Sequence, residues 1–319
     1  MAESLTLADI RAAHERIHPF IKRTPVLTSE RLDTATGAQL FFKCENFQEA
    51  GAFKSRGACH AVFSLTDAEA ATGVVTHSSG NHAAALARAA QLRGITAHII
   101  MPANAAQSKV RNVGQYGGWI TFCEPNLAAR EEACARVARH TGATIIHPFD
   151  DLRVAAGQGT AAIELLEDVP DLDAILCPVG GGGLLSGTAV AAKALKRGLQ
   201  VFGVEPALAN DVQQSFRAGR RISIPTPATL ADGLRTNCPG EKNFPVIQRH
   251  VDDIVTVSEE AIVAAMRAVW EALHMVIEPS AAVPYAALLE KRLPAAGRRL
   301  GLLVTGGNAD LDKLPWLKA

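Results

Sequence analysis

Short, continuously apolar runs alternate with longer alanine-rich stretches along most of this chain, and that order most narrows the folds open to it. A strand that is apolar throughout must be covered on both faces, and helical crossovers between parallel strands provide that cover. Strands are predicted at Gln39–Cys44, Gly73–His77, Ala97–Met101, Trp119–Phe122, Thr144–Ile146, Ala174–Pro178, Val201–Val204, Ile254–Val257 and Leu302–Thr305. Between them, Asn81–Leu92, Leu127–His140, Gly159–Glu167, Leu184–Leu195 and Glu259–Leu273 place small or apolar residues at helical spacing. The reading is an α/β protein with twisted, mostly parallel sheets flanked by helices.

At 319 residues the chain suits one large or two ordinary domains with a full hydrophobic core. No repeat, low-complexity tract or long charge run marks a linker, so the division is sought in topology. The strand–helix units between Gly73 and Ile146 close on themselves as a smaller sheet, the rest supplies a larger one, and a cleft between them is the expected ligand site. Lysine plus arginine (32) balance aspartate plus glutamate (32), which removes the electrostatic reason to bind a nucleic-acid backbone or an anionic membrane. A small neutral or zwitterionic ligand is expected instead. Cys44, Cys59, Cys123, Cys134, Cys177 and Cys238 form no CxxC pair and no zinc-type spacing, so they read as reduced thiols. The N-terminal segment lacks a secretory apolar core and no run reaches the ~18 apolar residues of a membrane span, so a cytoplasmic protein is expected.

Chemistry concentrates in three motifs. Strand Ala174–Pro178 runs through Val179 into Gly180-Gly181-Gly182-Gly183 and then a helix. Consecutive glycines let backbone N–H groups turn around an anion, and the helix end adds partial positive charge. The sequence fits neither a dinucleotide fingerprint nor a P-loop, which leaves a phosphate cradle or a tight turn. At a second strand-to-helix junction, His77-Ser78-Ser79-Gly80-Asn81-His82 offers polar donors suited to a carboxylate, beyond what an ordinary N-cap needs. The third motif, Gly51-Ala52-Phe53-Lys54-Ser55-Arg56-Gly57-Ala58, puts a lysine between a loop and an apolar helix. Desolvated there, its amine would lose its proton readily and could react with an aldehyde; alone, it reads rather as a solvated surface lysine.

Taken in this order, the three motifs resemble the serine/threonine dehydratase and serine racemase family of pyridoxal-phosphate enzymes. Ala156-Gly157-Gln158-Gly159-Thr160, Gly203-Val204-Glu205-Pro206, Ala231-Asp232-Gly233-Leu234, Glu278-Pro279-Ser280 and Thr305-Gly306-Gly307-Asn308 extend the likeness nearly end to end. The resemblance implies the two-domain fold type II arrangement, with a large cofactor-binding domain (1–64 and 148–319) and a small mobile domain (65–147). It implies that Lys54 holds the cofactor covalently and, once released, takes the Cα proton. Phe53 would pack beside the cofactor, Gly180, Gly181, Gly182, Gly183 and the Leu184 amide would hold its phosphate, and Asn81 would meet its ring hydroxyl. Thr305 would face the pyridine nitrogen, where a hydroxyl leaves the ring a weaker electron sink than a carboxylate would.

By the same resemblance, Ser78, Asn81 and His82 grip the substrate carboxylate, and Ser79 lies on the opposite face, where related racemases have their second acid/base. The implied reaction is an ammonia-lyase dehydration of a 3-hydroxy amino acid of the threonine, serine, 3-hydroxyaspartate or phenylserine type to a 2-oxo acid and ammonia. Serine or aspartate racemisation through Lys54 and Ser79 is the alternative. A β-replacing synthase is disfavoured by His82, where those enzymes usually have threonine, and a ligand-binding module without catalysis would leave Lys54 a bystander. Glu205, the Ala209 carbonyl and Asp211 fall where the family has a cation site, implying Mg²⁺, Ca²⁺ or Mn²⁺. His77, Arg130, Thr236 and Phe149 match pocket positions. Arg130 could pair with a side-chain carboxylate or form an exposed ion pair with Glu131 or Glu132. Phe149 stands where racemases tend to have asparagine, and Val304–Trp316 resembles hydroxyaspartate dehydratases most. The family further implies a homodimer, and the length leaves no room for the regulatory domain of biosynthetic threonine dehydratases, so a catabolic role is expected.

Overall fold

A computed structural model describes residues 4–317 as two sheets with helical cover. The larger sheet contains β1 (Val26–Leu27), β2 (Gln39–Cys44), β7 (Ala174–Pro178), β8 (Gln200–Pro206), β9 (Asp253–Val257) and β10 (Arg299–Val304) in the order β1-β2-β10-β7-β8-β9. Only the β1–β2 pair is antiparallel. The smaller sheet is entirely parallel, in the order β5-β4-β3-β6, from β3 (Val74–His77), β4 (Ala97–Pro102), β5 (Trp119–Cys123) and β6 (Thr144–Ile145). Every expected strand is present, and burial follows position. All residues of β3 and β7 are buried, whereas edge strand β5 leaves Trp119 exposed.

Two differences from expectation have physical causes. Strand β1 is two residues long and carries no periodicity to read. The helix expected from Gly159 begins at Leu152, capped by Asp151, whose carboxylate accepts the Arg153 N–H. Its Gly157 and Gly159 resemble a loop in sequence, yet they are contact points between helices. A Cβ on Gly159 would lie 2.7 Å from the Gly187 carbonyl oxygen, and one on Gly187 would lie 2.2 Å from that of Ala155. Helices Leu152–Asp168 and Gly183–Leu195 therefore touch backbone to backbone.

The helix Lys54–Phe63 joins the two halves of the molecule. Ala58, Cys59, Ala61 and Val62 share a core with Val74, Leu86 and Ile99 of the smaller sheet and its helices. Its first turn is fixed from the larger unit. Arg56, fully buried, places Nε 2.7 Å from Glu45 and Nη1 2.7 Å from Glu164, while Lys43 Nζ lies 2.7 Å from Glu164. Two buried cations thus face two buried carboxylates, so the group is balanced in charge and saturated with hydrogen bonds.

Candidate active site

In parallel α/β sheets, the C-terminal ends of the strands are where loops converge on ligands. Here β10, the last strand among the described residues, inserts between β2 and β7. Three neighbouring strand ends therefore deliver Lys54 (beyond β2), Thr305 (directly after β10) and the four glycines (after β7) to one place. The smaller sheet contributes the loop after β3, from His77 to His82. Between the sheets lies a cavity of about 460 Å³, lined by Phe53, Lys54, His77, Ser78, Ser79, Asn81, His82, Arg130, Phe149, Gly180, Gly181, Gly182, Gly183, Leu184, Thr236 and Thr305. Every expected catalytic, cofactor and substrate residue is on its wall. Glu205, Ala209 and Asp211 are not.

Among the described residues the lysine has one hydrogen-bond partner, the Pro148 carbonyl, 2.8 Å from Nζ. Burial draws its amine down to about 8, opposed by the charge of Glu278. The glycine loop leads into a helix whose N-cap, Gly182, sits at φ +94° and provides no side-chain cap. The first-turn N–H groups are left for an anion. Gly181 has a steric reason to be glycine, since a Cβ there would sit 2.1 Å from the Phe149 ring. Helix Asn81–Arg93 likewise starts at Gly80 without a side-chain cap, so a second set of N–H donors faces the cavity beside Ser78 and Ser79.

Neutral histidines line one side. Burial pushes His77 down to about 4, with further lowering by His147 and Arg130. Burial also holds His82 well below its ordinary value; its Nε2 lies 3.4 Å from the Ile146 carbonyl oxygen and its buried Nδ1 has no partner. His147 Nδ1 accepts the N–H groups of Phe149 (3.3 Å) and Asp150 (2.8 Å), which leaves its proton on Nε2. Thr236 lines the cavity, but its hydroxyl donates to Asp211 Oδ2 at 3.2 Å.

Arg130 differs from the other cavity cations. Lys109 is paired with Asp232, Arg235 holds the Thr229 carbonyl at 2.6 and 2.8 Å, and Arg221 holds that of Pro239 at 2.9 Å. Among the described residues, the Arg130 guanidinium has no carboxylate or carbonyl partner, although Glu131 and Glu132 adjoin it in sequence. His147, Glu278 and Asn308 also line the cavity, beyond the site residues expected from the sequence. Glu278 and Asn308 lay within quoted signatures, and an acid in an otherwise apolar segment was the available signal.

The site fits pyridoxal phosphate on observations of its own. Among the described residues Thr305 Oγ1 is buried without a hydrogen-bond partner, the glycine cradle presents free amides, and a lysine with a lowered pKa lines the same cavity. A family model described as pyridoxal-phosphate dependent enzyme matches residues 17–306. The chain belongs to that family. This pyridoxal-phosphate enzyme is 52% identical to a beta-hydroxyaspartate dehydratase of Paracoccus denitrificans, over 98% of each chain. It is 47% identical to a serine racemase of Arabidopsis thaliana, covering 97% of this chain and 94% of the relative. The crystal structure of serine racemase from Dictyostelium discoideum matches it with TM-score 0.93 at 43% identity, covering 97% of this chain and 100% of the other. Its fold is thus fold type II.

Away from the cavity, Glu205 and Asp211 are fully buried together. Glu205 accepts the Gln213 N–H at 2.7 Å and the Val212 N–H at 3.3 Å. Burial and the neighbouring Asp211 push the Glu205 carboxyl well above its ordinary value, and burial lifts Asp211 up to about 7.

Proposed function

We propose that this pyridoxal-phosphate enzyme is an ammonia-lyase that dehydrates a 3-hydroxy amino acid, with 3-hydroxyaspartate as the preferred substrate. The unpaired Arg130 guanidinium on the cavity wall carries the substrate choice, because a buried or half-buried cation without a partner is best satisfied by a second carboxylate. The likeness to a beta-hydroxyaspartate dehydratase supports the same choice.

When bound, pyridoxal phosphate supplies an electron sink for negative charge developing at the substrate Cα. The protein's own groups do the rest. Gly180 to Gly183 and the Leu184 amide hold the phosphate, Phe53 packs beside the ring, Thr305 meets its nitrogen, and Asn81 donates to its ring oxygen. Ser78, Asn81 and His82 hold the α-carboxylate at the helix start, while Arg130 takes the side-chain carboxylate. His77, Phe149 and Thr236 shape the remaining wall. Lys54 Nζ, its pKa lowered by burial, removes the Cα proton near neutral pH. The β-hydroxyl leaves as water, and the enamine released tautomerises to an imine and hydrolyses. The net change is one 3-hydroxy amino acid to one 2-oxo acid and one ammonium ion. Replacing Arg130 with alanine is expected to cut kcat/KM for 3-hydroxyaspartate by about 10²-fold while changing that for serine severalfold at most. Equal losses on both substrates would remove Arg130 from the specificity argument.

Racemisation is the second reading, favoured by Ser79, which lines the same cavity as Lys54. We also infer a divalent cation, Mg²⁺ or Ca²⁺ or Mn²⁺, held by Glu205, the Ala209 carbonyl and Asp211. Two fully buried carboxylates without a basic partner among the described residues fit such an ion. Mg²⁺ should raise the melting temperature by a few degrees, reversibly with chelator, and Asp211→Asn should abolish that rise; a rise unchanged in Asp211→Asn would exclude this pair. Residues 65–147 form the small unit that closes over substrate against 1–64 and 148–319. Lys109–Asp232, a pair that spans the cleft, supports this reading. Among the described residues no helix is long and apolar enough to cross a membrane, and a cytoplasmic homodimer completes the proposal.

A further inference from the structure

Glu278 is the one buried acid among the described residues of the cavity wall. It occupies the N-cap position of helix Pro279–Leu289, yet its carboxylate makes no cap hydrogen bond. It turns instead toward the smaller sheet, where both oxygens accept from Asn81 Nδ2, at 2.9 and 3.0 Å. Space for this is kept by Gly306, whose Cβ would lie 2.7 Å from Glu278 Oε1. On its other side, Asn81 Oδ1 accepts from Asn308 Nδ2 at 2.9 Å, and Asn308 Nδ2 also donates to the Ala50 carbonyl at 2.8 Å.

This chain leaves the Asn81 amide a single orientation. Reversing it would set its oxygen against a carboxylate and its NH₂ against the Asn308 NH₂, opposing acceptor to acceptor and donor to donor. One N–H of Asn81 is shared between the Glu278 oxygens, so the second remains for a ligand. We propose that Glu278 is a positioning residue which, together with Asn308, fixes Asn81 as a hydrogen-bond donor toward the ring oxygen of pyridoxal phosphate. The proposal rests on the reading of Asn81 given above and names the groups that enforce it.

Glu278 also faces Lys54 from the lysine helix, Lys109 from helix Gln107–Gly114 and Asp232 from the short turn Asp232–Leu234. Burial brings its carboxyl up to about 7, against the Asn81 hydrogen bond that favours the charged form. The clamp thus operates where a neutral replacement is nearly isosteric, and glutamine tests it. A glutamine side chain can donate to Asn81 Oδ1 and allow the amide to reverse.

The test compares wild type, Glu278→Gln, Asn308→Ala and Asn81→Ala as cofactor-loaded proteins. Its readouts are the absorption spectrum of the bound cofactor against pH and the affinity of the stripped protein for pyridoxal phosphate. Circular dichroism serves as the folding check. Expected are a shifted spectrum and roughly tenfold weaker cofactor binding in Glu278→Gln, a smaller shift of the same sign in Asn308→Ala, and the largest in Asn81→Ala. Wild-type spectra and affinity in Glu278→Gln and Asn308→Ala beside a disturbed Asn81→Ala would overturn the clamp alone. A wild-type spectrum in Asn81→Ala would overturn the reading of Asn81, and the clamp with it.

Discussion

Among the described residues Lys54 has a single hydrogen-bond acceptor, the Pro148 carbonyl, in a setting where burial outweighs the opposing charge of Glu278. Only a neutral amine attacks an aldehyde, so capture of pyridoxal phosphate by the cofactor-free protein should accelerate roughly tenfold per pH unit up to about 8 and then level off. A stopped-flow trace of cofactor absorbance checks this, and a rate still climbing steeply near pH 10 would place the lysine in water-like surroundings. The same shift fixes a stability trend. Between about 8 and the ordinary value of 10.5, the unfolded chain retains a proton that the folded chain has released, so cofactor-free stability rises with pH there. In the sequence, Lys54 taken alone resembles a surface lysine, and only the neighbouring motifs together single it out. The environment that lowers its pKa depends on segments far along the chain, among them Pro148, whose carbonyl it meets.

Helix Lys54–Phe63 owes its placement to Arg56, because Phe53 at its N-cap has no side chain able to cap it. Gln158 Oε1, from helix Leu152–Asp168, accepts the Gly57 N–H at 3.1 Å in its stead. Replacing Arg56 with methionine leaves Glu164 with Lys43 alone and Glu45 with no basic partner among the described residues, and breaking a buried ion group in this way is expected to cost about 3–5 kcal/mol. Urea denaturation measures it, and a loss below about 1 kcal/mol would mean that water reaches the group. The strands were legible because continuous apolar runs specify buried parallel strands. Helix starts were less so. The start at Leu152 is hidden because glycines at 157 and 159, which serve backbone contact with Gly57 and Gly187 respectively, look like breaks in a helix.

Both sheets point their strand ends at one cavity, and that convergence explains how residues as distant as Asn81, Glu278 and Asn308 act together. Motif order conveyed the family and the list of cavity residues. It could not convey pairings: that Thr236 gives its hydroxyl to Asp211, or that Arg130 stays free while Lys109 is paired, depends on side chains brought together by the fold. The most direct test of the proposed activity is the stoichiometry of turnover. The cofactor-loaded protein is given each stereoisomer of 3-hydroxyaspartate, and ammonia, 2-oxo acid and the opposite Cα enantiomer are counted together. One ammonia and one 2-oxo acid per substrate consumed are predicted, with a loss of about 10³-fold or more in Lys54→Ala. Enantiomer exchange without ammonia, or undiminished turnover in Lys54→Ala, would contradict the proposal.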